Sequence, residues 1–280
     1  VTPAASIVIP VYNQDPWLLD KALDTARHQT RRCEVIVVDD GSTVPVQVPD
    51  GVRLIRHDRN RGIAAAVNTG IRAMTTNWWS WLSSDDSFTD DKIERQLRHL
   101  DSVGGLASFH AYMRFEDIGD NKARVGVSAT PYWTCREDME RAVYRDCWIN
   151  MSTALVHRNV LNKVGPLDES YRYGQDWEYQ CRIAEWVVWY SVPCRNGDHG
   201  KRCDRHCVRG CPACGQRADA GCVECHGTGL AILGARWQGQ NLTRRIDADP
   251  DLANERNAEN ARIHARYGPQ RVGAEREMRW

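Results

Sequence analysis

Short apolar, β-branched runs alternate along most of this chain with stretches whose apolar residues recur every three or four positions. Ser6-Ile7-Val8-Ile9-Pro10 precedes a helical pattern over Pro16 to Gln29, and Cys33 to Val38 precedes Val52 to Ile55. Buried runs of this kind, each ending in polar residues, predict parallel strands joined by crossover helices, and the fold class is α/β. A helix is predicted over Gly62 to Met74, a strand from Trp78 to Leu82 and an amphipathic helix from Asp90 to Leu100. Runs then crowd at Leu106 to Phe115 and Ala123 to Val127, which predicts the edge of a mixed, mainly parallel sheet. The strand pattern returns at Thr153 to Val156 and at Trp186 to Tyr190. From Cys194 to Gly229 periodicity vanishes and Cys, Gly, Arg and His dominate, as expected of an insertion with its own stabilising device. Asp247 to Tyr267 is polar and rich in Ala, Glu and Arg, so a helix lying on the surface is expected. The organisation read from this is a catalytic or binding domain over 1–193, an insertion over 194–229, and a return segment with a helical tail over 230–280.

Composition changes this picture in two ways. With 280 residues the chain holds one large α/β domain and a small module, and 37 Lys+Arg balance 37 Asp+Glu, so any polyanionic partner must be met locally. No stretch is apolar for long enough to span a membrane, and the N-terminus lacks the basic-then-apolar pattern of a secretion signal, so a cytoplasmic location is expected. Of the eleven cysteines, seven fall between Cys194 and Cys225, a distribution that favours a metal site over a disulfide scaffold.

In open α/β sheets ligands bind beyond the C-terminal ends of the strands, so polar residues just after apolar runs are the first candidates. Four groups qualify: Pro10-Val11-Tyr12-Asn13, Asp39-Asp40-Gly41-Ser42, Asn60-Arg61-Gly62 with Asn68, and Ser83-Ser84-Asp85-Asp86. Adjacent carboxylates at a strand end need donors or a cation, so Asp85 and Asp86 are either a divalent-metal site or a turn and helix cap.

The order and spacing of these groups, in "SIVIPVYNQ", "EVIVVDDGST", "RNRGIAAAVNTGI" and "WSWLSSDDSFTDDKIERQ", resemble the nucleotide-binding half of family 2 glycosyltransferases. The likeness continues through "NMSTALVHRNVLNKVGPLDESY" and "GQDWEYQCR". It implies a GT-A fold, an inverting transferase and a UDP-sugar donor. It also implies that Tyr12 and Asp40 border the base, that Arg61 lies near the phosphates, and that Asp85 and Asp86 hold Mg²⁺ or Mn²⁺ on the diphosphate. Pro10, Asn13, Asn60, Asn68 and Arg236 join the implied donor site. The implied general base is Asp176 of Gly174-Gln175-Asp176, although on its own this residue is equally a helix N-terminal carboxylate. Glu178 and Arg182 match the same motif, Arg182 as either a phosphate contact or the partner that orients a carboxylate. Two positions depart from the pattern: Ser83 stands where many relatives have Asp, and Gln238 of "LGARWQGQNLTR" where a His often ligates the metal. These departures leave open a second class, a binding module that has lost catalysis.

Within the insertion, Cys211, Cys214, Cys222 and Cys225 have C-x₂-C-x₇-C-x₂-C spacing, which suits a four-thiolate Zn²⁺ site. "CPACG" and "CVECHGTG" also resemble the zinc repeats of DnaJ-type chaperones. Cys194, Cys203 and Cys207 with His199 or His206 have the composition of a second site. Zinc here either only folds a polar loop or builds a clamp. Between His199 and Arg217, Lys201, Arg202, Arg205, Arg209 and Arg217 face only Asp204, a basic knuckle able to grip phosphates. The knuckle favours a nucleic acid as acceptor, and a resemblance to the DNA-modifying glycosyltransferases of bacterial viruses implies a hydroxymethylated base in DNA, with a carbohydrate or lipid-linked glycan as the rival.

Overall fold

The computed structural model describes residues 2–118, 121–128, 133, 135–193, 232–237 and 249–267. The expected alternation opens the chain: β1 (Ser6–Val11), α1 (Pro16–Arg27), β2 (Glu34–Asp39), β3 (Arg53–Arg56), α2 (Ile63–Ala73) and β4 (Trp78–Trp81). There follow β5 (Asp86–Phe88), α3 (Lys92–Val103), β6 (Ala107–Phe109), β7 (Ala111–Ile118), β8 (Asn121–Ser128) and α4 (Arg136–Arg145). A 3₁₀ turn (Met151–Thr153) leads into β9 (Leu155–His157), α5 (Arg158–Val164), α6 (Gln175–Ala184) and β10 (Trp189–Ser191). Beyond the Cys-rich stretch come β11 (Ile232–Trp237) and α7 (Pro250–Tyr267).

The main sheet has the order β10-β6-β9-β4-β1-β2-β3 and is parallel except for β9, which runs against both its neighbours. Alternation along the strands explains why both faces are covered. Val8, Ile36 and Val38 pack with Ala64, Ala66 and Val67 of α2, while Ile7, Ile9, Val35 and Val37 pack with Leu19, Ala22 and Leu23 of α1. Each Val, Leu and Ile among them contributes about 1.5–3 kcal/mol on burial. The α2 contact is close enough to require glycine: a Cβ on Gly70 would lie 2.2 Å from Val8 Cγ1. Asp15 starts α1 by accepting from the backbone N–H of Trp17 at 2.8 Å, with Pro16 at the first helical position.

Two expectations are corrected here. The crowded strands are not one edge of the main sheet, because β6 lies inside it whereas β7 and β8 join β5 and β11 in a separate sheet of order β5-β11-β7-β8. The C-terminal helix does more than lie on the surface, since Ile263 and Tyr267 of α7 are fully buried in the core. No described helix is long and apolar enough to cross a membrane.

A buried polar seam ties α3 to the sheet. Lys92 donates to Ser80 Oγ at 2.8 Å and lies over the Phe88 ring, and burial pushes its pKa well below the usual lysine value. Gln96 donates to Thr153 O and Ser108 Oγ, both at 3.0 Å. These bonds join β4, β6 and the residue at the end of the 3₁₀ turn to one helix.

Candidate active site

Strand order locates the site. From β1 the chain steps outward to β2 and β3, then returns to place β4 on the other side of β1, so a crevice opens between β1 and β4 where the order reverses. Pro10 marks its floor. Val8 O accepts from Leu82 N, whereas Ala5 O and Val11 O accept from Glu34 N and Asp40 N, so the even-numbered backbone groups of β1 face β4. Pairing with β4 stops at Val8↔Trp81, and Pro10, the next residue on that side, has no N–H to leave unsatisfied. Its contribution is thus to the backbone, and the residue is buried.

Tyr12, Asn13 and Gln14 cross the top of this crevice. Asn13 sits at φ 48° and bonds reciprocally with the turn after β2: its N–H donates to Ser42 Oγ at 3.0 Å and its Oδ1 accepts from Thr43 N at 2.8 Å. Gln14 Oε1 accepts from Ser84 Oγ at 3.2 Å, so one short segment touches both the β2 and the β4 strand ends. The Tyr12 ring is 48 % exposed, as an open stacking surface must be.

The two aspartates after β2 shape the loops around them. Asp39 accepts from Ser42 N at 2.8 Å and Val46 N at 3.3 Å and pairs with Arg56. Burial alone would raise its pKa, but these hydrogen bonds and the Arg56 charge hold it below the usual carboxylate range. Asp40 accepts from Arg61 N at 3.0 Å, Gly62 N at 2.8 Å and the His57 ring at 2.6 Å. Asn60 Oδ1 also accepts from Gly62 N, at 3.0 Å. The strand-end turn and the start of α2 are thereby locked together at Gly41 (φ 76°), where a Cβ would stand 2.4 Å from Arg59 C. Arg61 is left with a half-exposed guanidinium 3.7 Å from Glu169, an ion pair weak enough to open for a phosphate.

On the other wall, Ser83, Ser84 and Asp85 form the turn after β4, and Asp86 begins β5 at 3 % exposure while Asp85 is more open. β11 runs antiparallel to β5 in a register that places Arg236 opposite Asp86. Ser83 N donates to Ser152 Oγ at 3.1 Å, and that hydroxyl donates to Ser83 Oγ at 3.0 Å. The segment holding Ser152 also reaches α6: Ile149 exchanges bonds with Gln180 at 3.1 and 2.6 Å, and the Cys147 thiol lies 3.8 Å from Asp176 Oδ2. Residues 147–153 therefore run from the carboxylate pair to Asp176, which sits partly exposed in the first turn of α6. Asp85 and Asp86 are an all-oxygen set of the kind that suits Mg²⁺ or Mn²⁺ when water and phosphate complete the shell. Among the described residues no third His, Cys, Asp or Glu joins them.

The geometry gives three of the motif residues structural partners. Glu178 is fully buried, its Oε2 accepting from Arg182 Nε and Nη2 at 3.0 and 2.8 Å and its Oε1 from Arg266 and the Tyr267 hydroxyl at 3.3 and 3.1 Å. Arg182 gives its remaining Nη1 to Val164 O at 2.7 Å, so its guanidinium is held between that carbonyl and the Glu178 carboxylate. Asn68 is spent on a loop 99 residues away, exchanging bonds with the backbone of Leu167 at 2.9 and 2.8 Å. Its second amide hydrogen goes to Glu169. Gln14, His57, Ser152 and Glu169 belong to the site's framework and were not singled out by sequence; a polar residue within three positions of a strand end was the available signal for Gln14 and His57. Cys194, His199, Cys203, Cys207, Cys211, Cys214, Cys222, Cys225 and Gln238 lie outside the described residues.

Comparison with known proteins meets this geometry. The family model "Glycosyl transferase family 2" matches residues 6–165. A glycosyltransferase of Rickettsia prowazekii (strain Madrid E) is 30% identical over 207 residues, covering 71% of this chain and 62% of that protein. The chain thus spans about six tenths of that relative's length. The succinoglycan biosynthesis protein ExoO of Rhizobium meliloti (strain 1021) is 36% identical over 109 residues, 36% of this chain and 31% of its own. The crystal structure of S. aureus TarS in complex with UDP-GlcNAc shares the fold, with a TM-score of 0.51 at 15% identity over 65% of this chain and 53% of that one.

Proposed function

The chain belongs to glycosyl transferase family 2, and on that footing we propose that it moves a sugar from a uridine diphosphate sugar to an acceptor hydroxyl, with inversion. The observation that carries this reading is the crevice between β1 and β4, with Tyr12 to Gln14 on one lip and Ser83 to Asp86 on the other. Tyr12 offers its exposed face to the base, while Asp40 sets the loop from which Arg61 reaches the phosphates. Asp85 and Asp86 would hold the divalent cation, which when bound stabilises the charge of a departing diphosphate. Asp176 takes the proton of the acceptor hydroxyl as its oxygen bonds to the anomeric carbon. The bond from that carbon to the phosphate oxygen breaks, and its electron pair leaves with the nucleoside diphosphate. That UDP-GlcNAc binds the S. aureus protein of the same fold supports a uridine nucleotide as the donor to test first.

For the acceptor we favour a hydroxymethylated base in DNA, on the strength of Lys201, Arg202, Arg205, Arg209 and Arg217 in a segment whose cysteine spacing suits zinc. The segment leaves the main sheet after β10 and returns as β11 beside the Asp86 strand, which supports a role near the site. The succinoglycan relative favours the rival, a glycan hydroxyl. The test is release of UDP from UDP-glucose, UDP-galactose and their N-acetyl forms with Mn²⁺, first alone and then with hydroxymethylated DNA or with oligosaccharides. Slow release alone, accelerated by DNA, is the expected result; acceleration only by oligosaccharides replaces the acceptor. No release from any donor sinks the transferase reading.

A further inference from the structure

α7 grips the segment that carries Asp176, and Glu255, Glu259 and Arg262 share one helical face. Arg172 lies 3.6 Å from Glu255, Arg262 stacks on Tyr171 at 4.4 Å, His264 meets Trp177 edge-on at 4.8 Å, and Tyr267 reaches Glu178. Glu259, at the middle of this face, does something different in kind. Its Oε1 accepts from Arg172 N at 2.7 Å, and its Oε2 accepts from Tyr173 N at 2.8 Å and Gly174 N at 2.9 Å. Three successive backbone donors, those just before the first turn of α6, converge on one carboxylate supplied from 85 to 87 residues away. Close approach is part of the design. Gly174 is buried, and a Cβ there would stand 3.0 Å from Ile263 Cδ1, so α7 lies against the backbone two residues before Asp176.

We infer that Glu259 is a positioning residue for the transfer reaction: it fixes the backbone at 172–174 and with it the direction from which Asp176 meets the acceptor hydroxyl. This rests on the reading of Asp176 as the base. A carboxylate is the only side chain suited to the task. Glutamine at 259 would turn an amide N–H toward backbone N–H donors, leaving at least one of them without an acceptor. A displacement of the base by a fraction of an ångström to one ångström is enough to cost turnover heavily, while the donor crevice at β1 and β4 is built from other residues.

The test is a double-mutant cycle on the whole protein. Glu259→Gln should lower kcat about 10- to 100-fold with KM for the UDP-sugar within about twofold of the parent. Titration with UDP and Mn²⁺ should still find one site per chain, which excludes a loss of folded protein. In an Asp176→Asn background the same change should cost almost nothing further, because a residue that acts through the base has nothing left to position. Unchanged kcat in Glu259→Gln, or an equal loss in both backgrounds, overturns the inference and leaves the transferase reading intact. A silent Asp176→Asn overturns the assignment of the base itself. Should Glu259→Gln not fold, Tyr267→Phe removes another α7 tie while keeping the ring, and the same split between kcat and KM is expected at about several-fold; parent kcat there overturns the clamp.

Discussion

The donor side and the base side of this site use the same device, a carboxylate that gathers loop N–H groups, over very different spans of chain. Asp40 collects Arg61 and Gly62, 21 and 22 residues on, and every strand end around it comes from the first β-α-β units. Glu259 collects residues 172–174 from the far side of the Cys-rich segment. Openness differs as well. Tyr12 and Arg61 present half-exposed groups to the crevice, whereas Glu178, Arg182 and Tyr267 form a sealed ionic cluster behind α6. The loop around Asp40 is therefore set by local contacts, whereas placement of the base depends on the chain returning correctly after the insertion. Damage to the two sides should show in different kinetic constants.

The largest expected effect lies on the base side. Asp176→Asn should lower turnover about 10²- to 10⁴-fold while UDP-sugar affinity stays near the parent's, read by steady-state kinetics and calorimetry. Turnover within a few-fold of the parent would move the base elsewhere and remove one half of the comparison. A smaller effect is expected from Asp40→Asn on the donor side. One amide oxygen cannot serve both the Arg61 and Gly62 N–H groups and the His57 ring, so stability should fall by about 1–3 kcal/mol in denaturant titration and UDP affinity should weaken with it. If Asp40→Asn altered kcat alone, the division between the two sides would be wrong.

The parallel half of the sheet was legible because buried strands such as Ile7 to Val11 and Val35 to Val38 are nearly unbroken apolar runs. β5 and β11 were not. Asp86–Phe88 is three residues long and begins with a carboxylate, while Ile232–Trp237 contains Gly and Arg, so neither alternates. α4 is dominated by charge, and the buried Glu140 among Met139, Val143 and Tyr144 hides its period. Tyr12, Asp40 and Asp85 follow strand ends and Arg61 precedes a helix, positions that a local pattern can show. The partners of Asn68 and Glu178 were not legible, because Leu167 and Arg266 lie 99 and 88 residues away, and sequence does not show what a buried polar group is bonded to. Glu259 was missed for the same reason: in a polar helix nothing marks the one glutamate whose carboxylate is enclosed by backbone.

The claim on which everything else depends is that the crevice between β1 and β4 binds a nucleoside diphosphate with a divalent cation held by the Asp85-Asp86 turn. Calorimetric titration of UDP into the whole protein, with and without Mn²⁺, tests it directly when paired with Asp85→Ala, the more open of the two carboxylates. The account predicts one UDP per chain, binding that requires Mn²⁺, and a loss of about tenfold or more in Asp85→Ala with an unchanged melting temperature. Equal affinity with and without Mn²⁺, or an unaltered Asp85→Ala titration, would contradict it.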